Sequence, residues 1–232
     1  MNTLAIDTST NVLGVGVAND EKVIGEYISN IKRNHSTRVL PAIDFLLKDC
    51  NMSLNDMEKI VVANGPGSYT GLRIGVTIGK TLAWTLNLPI VGVSSLQLMA
   101  ASGRYFQGLI SPIMDARRDN LFTGLYQYEN DQLIQVISDQ HISIVEWCEL
   151  IKTYEKPVLF IGNDVALHRE KIATIANEYA CFAPITTNIP RPGELALIGS
   201  KLENEANIHS FKPNYLRLTE AEAKWREKSD RN

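Results

Sequence analysis

The N-terminal turn of this 232-residue chain carries residue types that can bind an anion or a metal. Asp7, Thr8, Ser9 and Thr10 follow a short apolar run and place a carboxylate beside three hydroxyl groups. Backbone N–H groups and hydroxyls in such a turn can hold phosphate oxygens, with the acid close to a metal. Because Asp, Ser and Thr are also good turn formers, a turn without a ligand is the alternative interpretation.

A glycine-rich segment, Asn64 to Gly75, directly follows the apolar residues 59–63. Its glycines allow backbone angles that other residues avoid and let the chain approach a neighbour or a ligand closely. The next proline-free stretch, 72–86, completes a pattern that predicts a strand, a turn and a helix start. Free N–H groups at a helix start suit an anion. The spacing follows neither the Walker pattern nor GxGxxG, so a tight joint that binds nothing is an equal alternative.

Other catalytic patterns do not occur in the sequence. The three widely spaced cysteines, Cys50, Cys148 and Cys181, lack a CxxC motif, which indicates neither a zinc site nor a disulfide framework. No GxSxG motif marks a nucleophile. Surface or capping roles, and no metal site, are predicted for the four histidines His35, His141, His168 and His209.

Composition limits the function further. With 44% hydrophobic and 21% charged residues, the chain has ordinary globular composition. A net charge of -3 and a pI of about 5.8 argue against an autonomous nucleic-acid binder, so a basic surface for RNA would come from a partner. Reduced thiols, no signal-like N-terminus and no apolar run of membrane-spanning length predict a cytoplasmic protein.

The first half of the chain predicts the order βββ-α-β-α-β. Strands are expected near 4–6, 12–17 and 23–28, then helix 36–50, strand 59–63, helix 70–86, strand 90–93 and helix 95–101. Ser36 is the expected N-cap of helix 36–50, and Pro41 predicts a bend or a loosened first turn. Its expected core face consists of Val39, Leu40, Ile43, Leu46, Leu47 and Cys50.

The second half predicts a similar order. Strands are expected at 109–114, 121–128, 132–137 and 158–161, with helices at 143–154, 165–179 and 193–206. Ser143 and Glu146 resemble a capping box at the start of one of these helices. The repeated βββ-α-β-α order predicts an α/β fold of two lobes, 1–103 and 104–232, each with a mixed sheet.

Two helices show a second surface opposite their core faces. On helix 70–86, Gly71, Gly75, Gly79 and Ala83 recur every four residues and are expected to pack into the core. The predicted partner interface comprises the opposite faces of both helices: Arg38, Pro41, Ala42 and Phe45 on helix 36–50, and Arg73, Thr77, Lys80 and Trp84 on helix 70–86. The alternative is that Trp84 folds back over its own lobe.

Several motifs together resemble the TsaB family, also called YeaZ. The resemblance runs through the first hundred residues and is looser in 114–118, 160–163 and 213–217. The motifs that carry it are Asp7-Thr8-Ser9-Thr10, Asn34-His35-Ser36, the glycine-rich segment from Gly65 to Gly75, and Gly92-Val93-Ser94-Ser95-Leu96.

This resemblance implies a two-lobed actin/Hsp70/sugar-kinase-like (ASKHA) fold and a bacterial, cytoplasmic, non-catalytic subunit. Its implied partners are the catalytic paralogue TsaD and the ATPase TsaE, with tRNA contacted indirectly through the complex and a homodimer formed when the chain is alone. The complex moves a threonylcarbamoyl group from an adenylate to the adenosine 3′ of the anticodon. No cofactor is expected, apart from weak ATP or ADP binding at a partner interface.

The resemblance also implies loss of catalysis. Ser95 and Met99 stand where TsaD has two metal-binding histidines, and a hydroxyl and a thioether are poor replacements. Residues 115–118 lack glycines that would admit a phosphate, which makes Asp7 to Thr10 a vestigial nucleotide site. The alternatives are a stand-alone nucleotide-binding enzyme, sugar-kinase-like or peptidase-like, and a homodimer that binds small ligands in its cleft.

Overall fold

The computed structural model describes residues 1–31 and 34–216. The first half contains β1 (Thr3–Asp7), β2 (Leu13–Ala18), β3 (Val23–Ser29), α1 (Val39–Asp49), β4 (Lys59–Gly65), α2 (Tyr69–Leu86), β5 (Ile90–Ser94) and α3 (Ser95–Ala101). The second half contains β6 (Leu109–Asp115), β7 (Asn120–Glu129), β8 (Gln132–Ser143), α4 (Ile144–Lys152), β9 (Val158–Ile161), α5 (Val165–Ala176), β10 (Ala180–Phe182) and α6 (Pro192–Ser200).

The two sheets share one topology. Their strand orders are β3-β2-β1-β4-β5 and β10-β9-β6-β7-β8. In each sheet the three meander strands pair antiparallel, while the two strands reached through helices pair parallel. A short turn forces antiparallel pairing and a helical crossover permits parallel pairing, so the predicted mixed sheets and two-lobed α/β fold are confirmed.

Helices cover both faces of the first sheet. On one face, α1 and α2 pack against apolar side chains of β1, β2 and β4. On the other face, Leu98 of α3 joins Leu195 and Ala196 of α6 in a second cluster. Leu96 and Met99 of α3 also pack against the second sheet, whose opposite face is covered by α4 and α5. Helix α3 therefore belongs to the cores of both lobes.

Helix α6 returns to the first lobe although it lies far along the chain. A methyl group placed on Gly16 of β2 would lie 2.5 Å from the Pro192 carbonyl oxygen, so the two backbones touch. The buried Lys59 ammonium donates to the carbonyls of Ser200 and Leu202 and so caps the C-terminal end of α6. The lobe boundary at residue 103 stays a prediction, and a division there separates α6 from the sheet that it covers.

Helix α1 differs from its prediction in three respects. Asn34, not Ser36, accepts the capping hydrogen bond, because a short 3₁₀ helix, His35–Thr37, precedes α1. Pro41 falls in the first turn of α1, where its missing N–H is not needed. The side of α1 that is buried, here called the buried arc, has Val39 and Leu46 near its middle. Ala42 therefore lies within it (4% exposed), whereas Leu40 is exposed (52%).

The second half follows its prediction less closely. Ser143 is confirmed as an N-cap, because its Oγ accepts from the Glu146 N–H, but the Glu146 carboxylate accepts from the Ser143 hydroxyl and not from its backbone N–H, so the capping box is incomplete. Strand β8 extends to Ser143 rather than ending near residue 137. The three-residue β10 was not predicted, and α6 ends at Ser200 rather than near residue 206. Within residues 1–31 and 34–216, no helix combines the length and apolar character needed to cross a membrane.

Candidate functional site

The outer faces of α1 and α2 expose large apolar side chains. Trp84 on α2 is 68% exposed and Phe45 on α1 is 61% exposed, and Leu40 adds to the surface on α1. Phe45 contacts Tyr27 of β3 edge-on, with ring centroids 6.2 Å apart. Both helices lie on the same face of the first sheet. We call the surface formed by Leu40, Pro41, Phe45, Thr77 and Trp84 the helical face.

A segment from the end of the chain lies along α2. Residues 208–216, here called the C-terminal strap, contain a short 3₁₀ helix and then extended chain. Lys80 Nζ donates to the carbonyls of His209 and Phe211, both at 2.9 Å. The Phe211 ring is buried in the first core, and the His209 ring meets Trp84 edge-on. The strap is therefore a packed part of the first lobe.

Arg73 is likewise engaged within the chain. Its guanidinium lies 4.1 Å from the centroid of the Tyr69 ring, and its Nε donates to the Tyr215 hydroxyl at 3.1 Å. The Tyr69 and Tyr215 rings stack with centroids 5.0 Å apart. Arg73 and Lys80 therefore hold the strap against α2, and the prediction that they rim a partner interface stays a prediction.

The remaining predicted interface residues divide between surface and interior. Pro41 and Thr77 are exposed, as predicted. Ala42 was predicted on the outer face and is instead part of the core, because the buried arc of α1 is shifted towards it. Arg38 is half-buried and turns back to the sheet, where its Nη2 donates to Ser29 Oγ at 2.7 Å. Whether the exposed set contacts a partner stays a prediction.

The glycines of α2 and of the preceding turn have packing partners. A methyl group on Gly67 would lie 2.3 Å from the Ser9 carbonyl oxygen, and one on Gly71 would lie 2.1 Å from that of Thr8. One on Gly75 would meet Thr8 Oγ1 at 2.5 Å. These approaches seat the start of α2 directly on the N-terminal turn, which accounts for the glycines without a ligand and confirms that this side of α2 faces the core.

The predicted vestigial nucleotide turn is largely satisfied by its own surroundings. Asp7 is only 1% exposed, and its carboxylate accepts from the Ser9 N–H at 2.8 Å. Burial raises the pKa of Asp7. The hydrogen bonds from Ser9 and the electrostatic interaction with the nearby His35 oppose that shift. Thr8 Oγ1 donates to the Gly71 carbonyl, and the Thr10 carbonyl bonds His35 Nε2. From this turn, Ser9 and Thr10 line a cavity.

That cavity is a cleft of about 960 Å³ between the lobes. One wall is the N-terminal turn with the start of α2; the other includes Arg117 and Arg118, from the β6–β7 turn, and Leu167 of α5. Arg117, Arg118 and Asp119 all have positive φ angles, between 54° and 66°. Side-chain bonds from Asn120 Nδ2 to the carbonyls of Arg117 and Arg118 help to hold this uncommon backbone.

Asp115, the last residue of β6 before that turn, is hydrogen-bonded to two residues that the sequence analysis did not connect to it. Its Oδ1 lies 3.1 Å from His168 Nε2, and its N–H donates to Asp164 Oδ2 at 2.9 Å. Burial raises the pKa of Asp164, and the hydrogen bond from Asp115 opposes the shift. His35 and His168 thus make defined hydrogen bonds, whereas the sequence predicted surface or capping roles. A separation of 53 residues hides the Asp115–His168 pair from local pattern reading.

Ser95 and Met99 of α3 are buried between the lobes. A methyl group on Gly162 would lie 2.5 Å from Met99 Sδ, so the thioether fills the space beside the second sheet. Across 1–31 and 34–216, no three His, Cys, Asp or Glu side chains come together as a set that could hold a metal ion.

Fold and cleft together define a two-lobed α/β protein of the actin and sugar-kinase class. A hexokinase of the ROK type from Thermus thermophilus has the same fold at 9% identity and a TM-score of 0.51, covering 87% of this chain and all of its own. The structure of YeaZ from Pseudomonas aeruginosa matches more fully, with a TM-score of 0.73 and 24% identity over 93% of this chain and 99% of its own.

Sequence comparison supplies the family. The model of the family TsaD, tRNA N6-adenosine threonylcarbamoyltransferase, matches residues 22–225. The tRNA threonylcarbamoyladenosine biosynthesis protein TsaB of Bacillus subtilis is 52% identical over 225 residues, covering 97% of this chain and 98% of its own. TsaB of Escherichia coli is 35% identical over 133 residues, or 56% of this chain and 57% of its own. This chain belongs to the TsaB (YeaZ) family, which takes part in tRNA threonylcarbamoyladenosine biosynthesis and is related to TsaD.

Proposed function

We propose that this chain is a non-catalytic scaffold or activator subunit of the bacterial tRNA threonylcarbamoyladenosine machinery. It binds a TsaD-like catalytic paralogue through the helical face, and it forms a homodimer through the same face when that partner is absent. A TsaE-like ATPase joins the complex in the cytoplasm, and tRNA is contacted through the complex. Weak ATP or ADP binding, if it occurs, belongs at the partner interface.

The observation that carries this proposal is the exposure of Trp84 and Phe45 on one side of the first sheet. Exposed aromatic anchors are typical of interface centres. Lys80 and Arg73 keep their charges, but both side chains are bonded to the strap and not directed over the exposed aromatics. The centre of the helical face is therefore formed by Leu40, Phe45 and Trp84, and an apolar centre suits a helix-to-helix contact.

The interface experiment replaces Trp84 or Phe45 with alanine in the full chain. Each variant should weaken binding to the TsaD-like protein of the same organism by about 2 kcal/mol, or roughly 30-fold in Kd. Titration calorimetry measures the affinity, and analytical ultracentrifugation measures self-association. Tyr105→Ala is the matched control, because Tyr105 is an aromatic that is 94% exposed but lies outside the helical face. Parent-like binding by both variants would place the contact elsewhere.

Catalytic inactivity is tested separately. The isolated chain, supplied with tRNA and threonylcarbamoyl adenylate, should form no modified adenosine, and adding the TsaD-like protein should start the reaction. The physical reason is that Ser95 and Met99 are buried in packing contacts and present no imidazole pair. Mass spectrometry of digested tRNA measures the product. Turnover by the isolated chain would favour the enzyme alternative instead.

A further inference from the structure

A cluster of four side chains joins the lobes at the start of α3. Ser94 ends β5 of the first sheet, while Tyr126 lies on β7, and Gln135 and Asp139 lie on β8 of the second sheet. The Asp139 carboxylate accepts hydrogen bonds from the Ser94 hydroxyl, from the Tyr126 hydroxyl and from Gln135 Nε2. We call these residues the Asp139 cluster; it is separate from the cleft lining and from the helical face.

Asp139 is the acceptor for every other side chain of the cluster. Ser94 Oγ already accepts from the N–H groups of Leu96 and Gln97, each at 3.1 Å, so its single proton is left for Asp139. Gln135 Nε2 donates to both Tyr126 and Asp139. Both carboxyl oxygens of Asp139 thus accept hydrogen bonds, which an amide with a single oxygen could not reproduce.

Other contacts lie along the same boundary between the lobes. The Tyr128 hydroxyl donates to the Ala101 carbonyl at the end of α3, at 3.2 Å. Arg104, which follows the end of α3 by three residues, pairs with Glu194 of α6 at 3.2 Å and lies over the Tyr128 ring. All residues of α3 except Gln97 are buried. A hinge needs a few residues that can absorb large backbone rotations, and within α3 the buried side chains and the bonds at both of its ends oppose such rotations.

We propose that the Asp139 cluster clamps α3 to the second sheet and holds the two lobes at one fixed angle, so that the cleft does not open and close as a hinge. The role of the cluster is conformational. A fixed angle between the lobes gives the chain a surface of constant shape, whichever molecule binds to that surface. It does not depend on the helical face, so it can fail or succeed independently of the proposed function.

The first test compares hydrogen exchange in the full chain and two variants. Asp139→Asn places an amide donor against donors in either side-chain orientation, and Tyr126→Phe removes one hydroxyl while keeping the ring in the core. Each should speed exchange of the α3 amides by about tenfold, as expected when a partly buried hydrogen bond of the cluster is lost. Exchange in α1 should stay unchanged. Asp131→Asn is the matched control, because Asp131 lies exposed in the turn before β8.

The second test measures the angle between the lobes. Spin labels at Glu21→Cys and Glu170→Cys report a distance across the molecule in a background without Cys50 and Cys181. The parent should give one narrow distance that magnesium ATP does not change, and Tyr126→Phe should broaden it. A second distance in the parent, or a shift on adding ATP, would overturn the proposal. So would α3 exchange that matches the parent in Tyr126→Phe, the variant that decides the test if Asp139→Asn does not fold.

Discussion

Replacing Trp147 with alanine is expected to lower the free energy of unfolding by about 3–5 kcal/mol, because it empties the largest buried side-chain site of the second lobe. Trp147 is 0% exposed and packs between α4 and the second sheet. Its Nε1 donates to Ser111 Oγ at 2.9 Å, and Ser111 in turn bonds Thr123. The variant therefore leaves both a cavity and a buried hydroxyl that has lost a donor.

The chain provides a control of the same residue type. Trp84→Ala removes an indole that is 68% exposed, so in protein diluted until it is monomeric it should change the unfolding free energy by only about 0.5 kcal/mol. Urea unfolding followed by circular dichroism measures both variants without relying on tryptophan emission. Equal losses in the two variants would contradict the assignment of Trp147 to the core and of Trp84 to a contact surface.

Gly71→Ala is expected to destabilise the protein by about 1–3 kcal/mol, although helix propensity alone predicts a gain of about 1 kcal/mol. The added methyl would lie 2.1 Å from the Thr8 carbonyl oxygen, and a backbone atom cannot move aside as a side chain can. Accommodation requires α2 to shift from the N-terminal turn. The Thr8 Oγ1 hydrogen bond to the Gly71 carbonyl would be strained by that shift.

Helix propensity and the close contact with Thr8 predict stability changes of opposite sign for Gly71→Ala, so the sign of the change in Tm decides between them. Thermal unfolding of Gly71→Ala should give a lower Tm than the parent. Thr85→Ala, on the exposed side of the same helix, should leave the Tm close to the parent value. A higher Tm for Gly71→Ala would mean that the glycine is not needed for a close approach between α2 and the N-terminal turn.

Periodicity in the sequence was enough for most of the fold. The glycine repeat of α2 correctly predicted its core face, because a small residue every four positions marks one side of a helix. The bounds of α3 and β9 were also predicted as found: α3 follows β5 directly with Ser94 as its N-cap, and β9 is a short apolar run between turns. The repeated element order then gave two lobes, because sheet pairing follows from the lengths of the connections.

Contacts between distant parts of the chain were beyond pattern reading. Nothing near Lys80 in the sequence indicates that its ammonium group donates to carbonyls about 130 residues away, at His209 and Phe211. The Asp139 cluster is hidden in the same way, because Ser94 and Asp139 are 45 residues apart. Leu40 and Ala42 were exchanged between the faces of α1 because the buried arc is shifted towards Ala42, which the apolar residue types alone did not reveal.

Helix α6 and the strap pack on the first sheet, yet the ribosome adds them after all five strands of the second sheet. Until Phe211 and Leu195 emerge, the nascent first lobe exposes apolar strand and helix surface that later becomes core. The first lobe cannot mature ahead of the second during translation, so a ribosome-stalled chain ending before Pro192 should hold an incomplete first lobe and be a preferred client for chaperones.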